Sequence, residues 1–113
     1  MIGLAIAAML AAAPVDGPIP KGNLKALIVP DDYPASLARQ RPPPGPVSVL
    51  LTVGPNGRVV HCAMLRSSGA GALDAATCRL LVARARFTPA HDAKGGTTEG
   101  GMAVTIAWPR PKG

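Results

Sequence analysis

Two cysteines, two histidines, an adjacent pair of serines and six scattered carboxylates are the side chains of this 113-residue chain that could do covalent or metal chemistry. His61 stands beside Cys62, but neighbours on a strand point to opposite faces, so the two do not share a ligand set. No Cys-x-x-Cys or His-x-x-x-His spacing is present, and no metal site or cofactor is expected. Ser67 and Ser68 lack the Gly-x-Ser-x-Gly elbow that exposes a nucleophile. The carboxylates form no pair for acid–base work, and no Gly-Lys-Ser/Thr follows the glycines to make a phosphate loop. No catalytic residue is assigned, and the chain is not read as an enzyme. What remains is the pair Cys62 and Cys78.

The elements that carry these residues follow from hydropathy patterning. Val47, Val49, Leu51 and Val53 alternate with Ser48, Leu50 and Thr52, the two-residue period of a half-buried strand. Pro55-Asn56-Gly57 supplies a turn, and Arg58 to Arg66 is the return strand. There Val59, Cys62 and Met64 form an inward set if one bulge shifts the register. Ser67-Ser68-Gly69-Ala70-Gly71 is a loop. A helix comes next, with Asp74 in its first turn, where an anion is favoured. Cys78, Leu81, Val82 and Ala85 predict its apolar face. Pro89 ends that region, and a Gly-rich loop leads to a last strand in which Met102, Val104, Ile106 and Trp108 alternate with Ala103, Thr105 and Ala107. Ahead of the hairpin, Pro34 to Gln40 reads as a short helix with Pro in the first turn.

The expected fold is α+β. A three-stranded antiparallel sheet carries a short N-terminal helix and one longer helix packed on one face. Cys62 then points inward from the second strand and Cys78 inward from the covering helix. They are either bridged or packed as two small apolar thiols; in an oxidising compartment the bridge is the expected state. It would add roughly 3 kcal/mol in the chain-entropy picture.

With a net charge of +6, a nucleic-acid partner is the first thought. The twelve Lys and Arg are dispersed and the three aromatics, Tyr33, Phe87 and Trp108, are not placed among them to stack bases. No nucleic acid is expected; the charge reads as a solvated basic surface that steers toward acidic partners or membranes.

Residues 1–13 read as a signal peptide, an apolar run from Ile2 ending in Ala11-Ala12-Ala13. It falls short of the roughly 20 apolar residues a spanning helix needs. Residues 14–32, with Pro14, Pro18, Pro20 and Pro30, read as a linker, and residues 33–110 as the folded domain.

The order Tyr33-Pro34, Gly45 with the Val47–Val53 strand, Asn56-Gly57-Arg58-Val59, Ser67-Ser68-Gly69, Leu73-Asp74, Phe87-Thr88-Pro89-Ala90 and a final strand to Trp108 resembles the C-terminal domain of the TonB family. Tyr33, Pro34, Gly57, Phe87 and Pro89 carry the family motif. The resemblance implies a periplasmic protein that binds a short peptide of an outer-membrane TonB-dependent receptor. The peptide adds a strand beside Met102, Val104, Thr105, Ile106 and Trp108. Main-chain hydrogen bonds then supply much of the affinity, and few diagnostic side chains are needed. Energy-transducing members carry a membrane helix that engages an inner-membrane motor. Ile2 to Ala13 is too short for that and has no polar residue, so a motor partner is expected only if the true start lies upstream or another protein supplies the anchor. The rival expectation is an envelope scaffold that homodimerises through its sheet edge.

Overall fold

A computed structural model describes residues 16–109. The expected signal peptide lies outside the described residues, as do Pro14, Val15 and Arg110 at the ends of the expected linker and domain. The strands are β1 (Ile19–Pro20), β2 (Val47–Val53), β3 (Val59–Arg66), β4 (Phe87–Thr88), β5 (Ala90–His91), β6 (Thr97–Thr98) and β7 (Gly100–Ile106); the helix α1 spans Gly71–Arg84. The architecture is α+β, with an antiparallel sheet of order β3-β2-β7 covered on one face by α1.

Strand β2 is the centre of the sheet because its alternation is nearly perfect. Val47, Val49, Leu51 and Val53 are wholly buried, while Leu50 on the other face is exposed. Each such burial contributes roughly 1.5–3 kcal/mol. The turn after it closes with Gly57 N donating to Gly54 O at 2.9 Å and Gly54 N to Arg58 O at 2.8 Å. On β3, Val53 faces Val59, Leu51 faces Cys62 and Val49 faces Met64, so the inward set is the expected one. It needs two register shifts rather than one: Val60 and Leu65 are both extra residues opposite β2. Met64 points inward but stays 41% exposed, at the uncovered end of the edge strand.

The loop before α1 is organised by the Asp74 carboxylate. Ser68 N and Ser68 Oγ donate to its Oδ1 at 2.9 and 2.7 Å, and Ser67 Oγ donates to its Oδ2. The helix then buries Leu73, Ala76, Thr77, Leu80 and Leu81. This corrects the expected face: Val82 is 43% exposed and Cys78 sits at the stripe's margin. The polar residue Thr77 hides the true stripe from a hydropathy pattern, although its Oγ1 is satisfied by donating to Leu73 O at 2.8 Å. Cys62 and Cys78 are joined by a disulfide with Cα atoms 5.8 Å apart, which ties β3 to α1. The α1 C-terminus is capped by Arg86, whose guanidinium donates to Ala83 O and Ala85 O at 3.1 and 2.8 Å, a cation where the helix dipole favours one.

The N-terminal helix expected over Pro34–Gln40 is only a 3-10 turn, Ala35–Leu37. Prolines on both sides leave too little chain to nucleate an α-helix. The segment read as a linker is not free of the domain. Two more 3-10 turns, Leu24–Leu27 and Pro30–Asp32, lie in it, and Leu24 and Ile28 are buried in the core. Arg84 fastens this segment to α1, donating to Leu27 O at 2.7 Å and to both oxygens of Asp32 at 2.7 and 3.0 Å. Upstream, β1 pairs antiparallel with β4, and Asp16 bridges to His91.

Candidate functional site

The sheet has two edge strands of different character. β3 is interrupted twice, and bulges of this kind discourage further pairing. β7 pairs with β2 in an unbroken register from Val47↔Ile106 to Val53↔Gly100. Among the described residues no strand pairs with the other side of β7. Alternate N–H and C=O groups along Gly100–Ile106 are therefore presented at a straight edge.

Of the residues expected to form the binding strand, four lie on β7 or at its end and one does not. Met102 and Val104 turn inward and pack half-buried against the core. Thr105 is exposed, with Oγ1 2.8 Å from Ser48 Oγ across the β2 pair. Ile106 is buried, so only its backbone is available to a partner. Trp108 lies beyond the strand, which stops at Ile106. Its ring is in the core, and its Nε1 donates to Thr77 Oγ1 at 2.8 Å. The ring is on the inward side that the alternation predicts, but it is held there by its satisfied N–H beyond the strand's end rather than by strand pairing.

The edge opens onto a groove of about 430 Å³ lined on one side by Met102–Thr105 and on the other by Pro20, Gly22, Asn23, Leu24 and Lys25. The second wall was not anticipated. Its signal was the spacing Leu24, Leu27 and Ile28 after Asn23, one amphipathic turn inside a proline-punctuated stretch. Asn23 Oδ1 accepts from Lys25 N at 3.0 Å and starts that turn. Buried Leu24 then sits beneath the groove, in the same core cluster against which Met102 and Val104 pack.

The family-motif residues brace the fold around this edge rather than lining it. Tyr33 meets Trp108 edge to face, with ring centroids 6.1 Å apart and planes at 76°. Pro34 precedes the 3-10 turn Ala35–Leu37. Phe87 is 1% exposed and its N donates to Gly57 O at 2.9 Å. Pro89 separates β4 from β5, where the chain leaves β1 and enters the β5–β6 hairpin.

Two carboxylates are perturbed, both by structural partners. Hydrogen bonds from the Arg84 side chain, then from Val29 N, hold Asp32 below its usual value against a small opposing effect of burial. For Asp74 burial pushes the value up, but donors from Ser67 and Ser68 outweigh it and the net shift is downward. Neither group faces the groove of β7, and among the described residues no three His, Cys, Asp or Glu side chains gather to hold a metal. The arrangement offers main-chain pairing, with apolar and cationic side chains beside it.

A family model described as Gram-negative bacterial TonB protein C-terminal matches residues 30–108 of the chain. The comparison with curated proteins returned no match.

Proposed function

The chain belongs to the family of Gram-negative bacterial TonB C-terminal domains, and from that membership we propose that it captures an outer-membrane receptor by taking a short extended receptor peptide as a fourth strand along β7. Domains of this family are periplasmic and work in receptor-coupled transport. Among the described residues no helix is long and apolar enough to cross a membrane. The observation that carries the reading is the contrast between the two sheet edges. β7 is straight, unpaired and seven residues long, while β3 is broken by Val60 and Leu65. Strand addition needs an uninterrupted row of donors and acceptors, and of the two edges of this sheet among the described residues β7 supplies the longer unbroken one.

The test is capture of receptors from solubilised outer membrane by the wild-type chain and by proline variants of β7. Successive N–H groups along a strand point to opposite edges, so Val104→Pro or Thr105→Pro removes an outward donor. The variant that keeps its circular dichroism spectrum is expected to lose receptor capture. Unchanged capture by both folded variants would move the site elsewhere. Concentration-dependent self-association abolished by the same variants would instead assign the edge to a second copy of the chain.

A further inference from the structure

Outside β7 the least explained feature is a row of like charges. β1 and β4 pair as Ile19↔Thr88 and Pro20↔Phe87. The next step in that register sets Lys21 opposite Arg86, and Lys21 N donates to Arg86 O at 2.8 Å. On its other side Arg86 is bridged antiparallel to Arg58. Three cations thus stand in line across three chain segments, with Lys21 and Arg58 exposed and Arg86 half-buried.

Like charges directly opposite one another in paired strands are destabilising. Among the described residues the only ion pair is Arg84–Asp32, so no carboxylate neutralises this row. Arg86 Nη1 donates to the carbonyls of Ala83 and of Ala85 at the end of α1, and the guanidinium keeps its charge. The row also continues into the groove: Gly22, next in the chain after Lys21, and Lys25 both line it.

Resting on the strand-addition reading, we propose that the peptide bound at β7 is flanked by an acidic segment that lies across Lys25, Lys21, Arg86 and Arg58. The strand portion supplies pairing and places apolar side chains against Met102, Val104 and Leu24. Among the described residues Lys25 is the one cation in the groove's lining and Lys21 precedes Gly22 in its wall, so the carboxylates would fix which end of the peptide lies where. Charge in such rims sets partner choice and association rate more than it sets the strength of the core contact.

The probes are three synthetic peptides sharing one alternating Thr-Val strand: one with a Ser tail, one with a Glu tail and one with a Lys tail, each tail placed in turn at both ends. Binding to the full chain is measured by calorimetry at low and high salt, with β7 amide shifts followed by NMR. The Glu tail at one end is expected to tighten binding by about tenfold over Ser, the sum of a few exposed ion pairs. The gain should fade as salt screens it and vanish in Lys21→Glu and Arg58→Glu, which still bind the Ser peptide as wild type does. Equal affinities for Glu and Ser tails, with β7 shifts intact, would overturn the acidic segment and leave strand addition standing. Failure of every peptide to shift β7 amides would overturn both. Vesicles containing anionic lipid that bind in a Lys21-dependent way, with no effect of the Glu tail, would assign the row to a membrane surface instead.

Discussion

The indole Nε1 of Trp108 donates to Thr77 Oγ1 at 2.8 Å, and the same hydroxyl donates to Leu73 O at 2.8 Å. One buried threonine thereby satisfies the only tryptophan and fastens the chain just beyond β7 to the middle of α1. Thr77→Val keeps the shape and strands the indole N–H. The expected loss is about 1–3 kcal/mol, the cost of an unpaired buried donor. Thr77→Ser keeps the acceptor and should lose less. Urea unfolding followed by Trp108 fluorescence compares the two.

Gly57 and Gly69 both have positive φ, at 81° and 91°, but only Gly57 is crowded: a Cβ there would overlap Phe87 O, whereas one on Gly69 meets nothing within 4 Å. Gly69→Ala should therefore cost only the left-handed strain, about 1–2 kcal/mol. Gly57→Ala should cost about 1–3 kcal/mol more, since backbone must move to admit the methyl. Parallel chemical denaturation of the two variants checks the difference; equal losses would mean that the Gly57–Phe87 contact yields freely.

Reducing the Cys62–Cys78 bond frees β3 from α1 and restores chain entropy to the unfolded state. A bridge of sequence separation 16 is expected to contribute about 3 kcal/mol. The unfolding midpoint with and without reductant measures it, and the oxidised chain should weigh two hydrogens less than the reduced one.

Asp32 and Asp74 both have folded-state values lowered from 3.8. A lowered folded value means the folded state holds its proton less tightly than the unfolded chain. The stability that Asp32 and Asp74 add is then complete above 3.8 and is lost as pH falls through each lowered value. Asp32→Asn and Asp74→Asn should each reduce stability at neutral pH and flatten the acid limb of the curve of unfolding midpoint against pH. Arg84→Gln should reproduce the Asp32→Asn effect but not that of Asp74→Asn.

The hairpin, the helix, the last strand and the cysteine pairing were legible in the sequence because each rests on local periodicity. Val47 to Val53 alternates so cleanly that its register could hardly be misread, and the Asn56-Gly57 turn sets where the return strand begins. The expected helix face holds at Leu81 and Ala85 and fails at Val82, because the buried stripe runs through Thr77 and Leu80. Thr77 looks polar, and only the tertiary bond to Trp108 makes it a core residue. Trp108 itself looked like the end of a strand because alternation says nothing about where a strand stops. The wall formed by Pro20–Lys25 and the row Lys21–Arg86–Arg58 were invisible for another reason. They depend on pairing between segments far apart in sequence, β1 with β4 and the turn at Gly57 with Arg86. The free edge of β7 follows in a meander because its last strand leaves one side open; the order β3-β2-β7 departs from a meander, since β7 returns beside β2, yet the last strand is again at an edge.

The most direct test of the central claim is amide hydrogen exchange along Gly100–Ile106 as an alternating Thr-Val peptide is added. The account predicts that the β7 amides pointing away from β2 exchange rapidly in the free protein and become protected in proportion to bound peptide, while β3 amides do not change. Saturable peptide binding with β7 exchange unaltered, or with protection appearing along Val59–Arg66 instead, would contradict it.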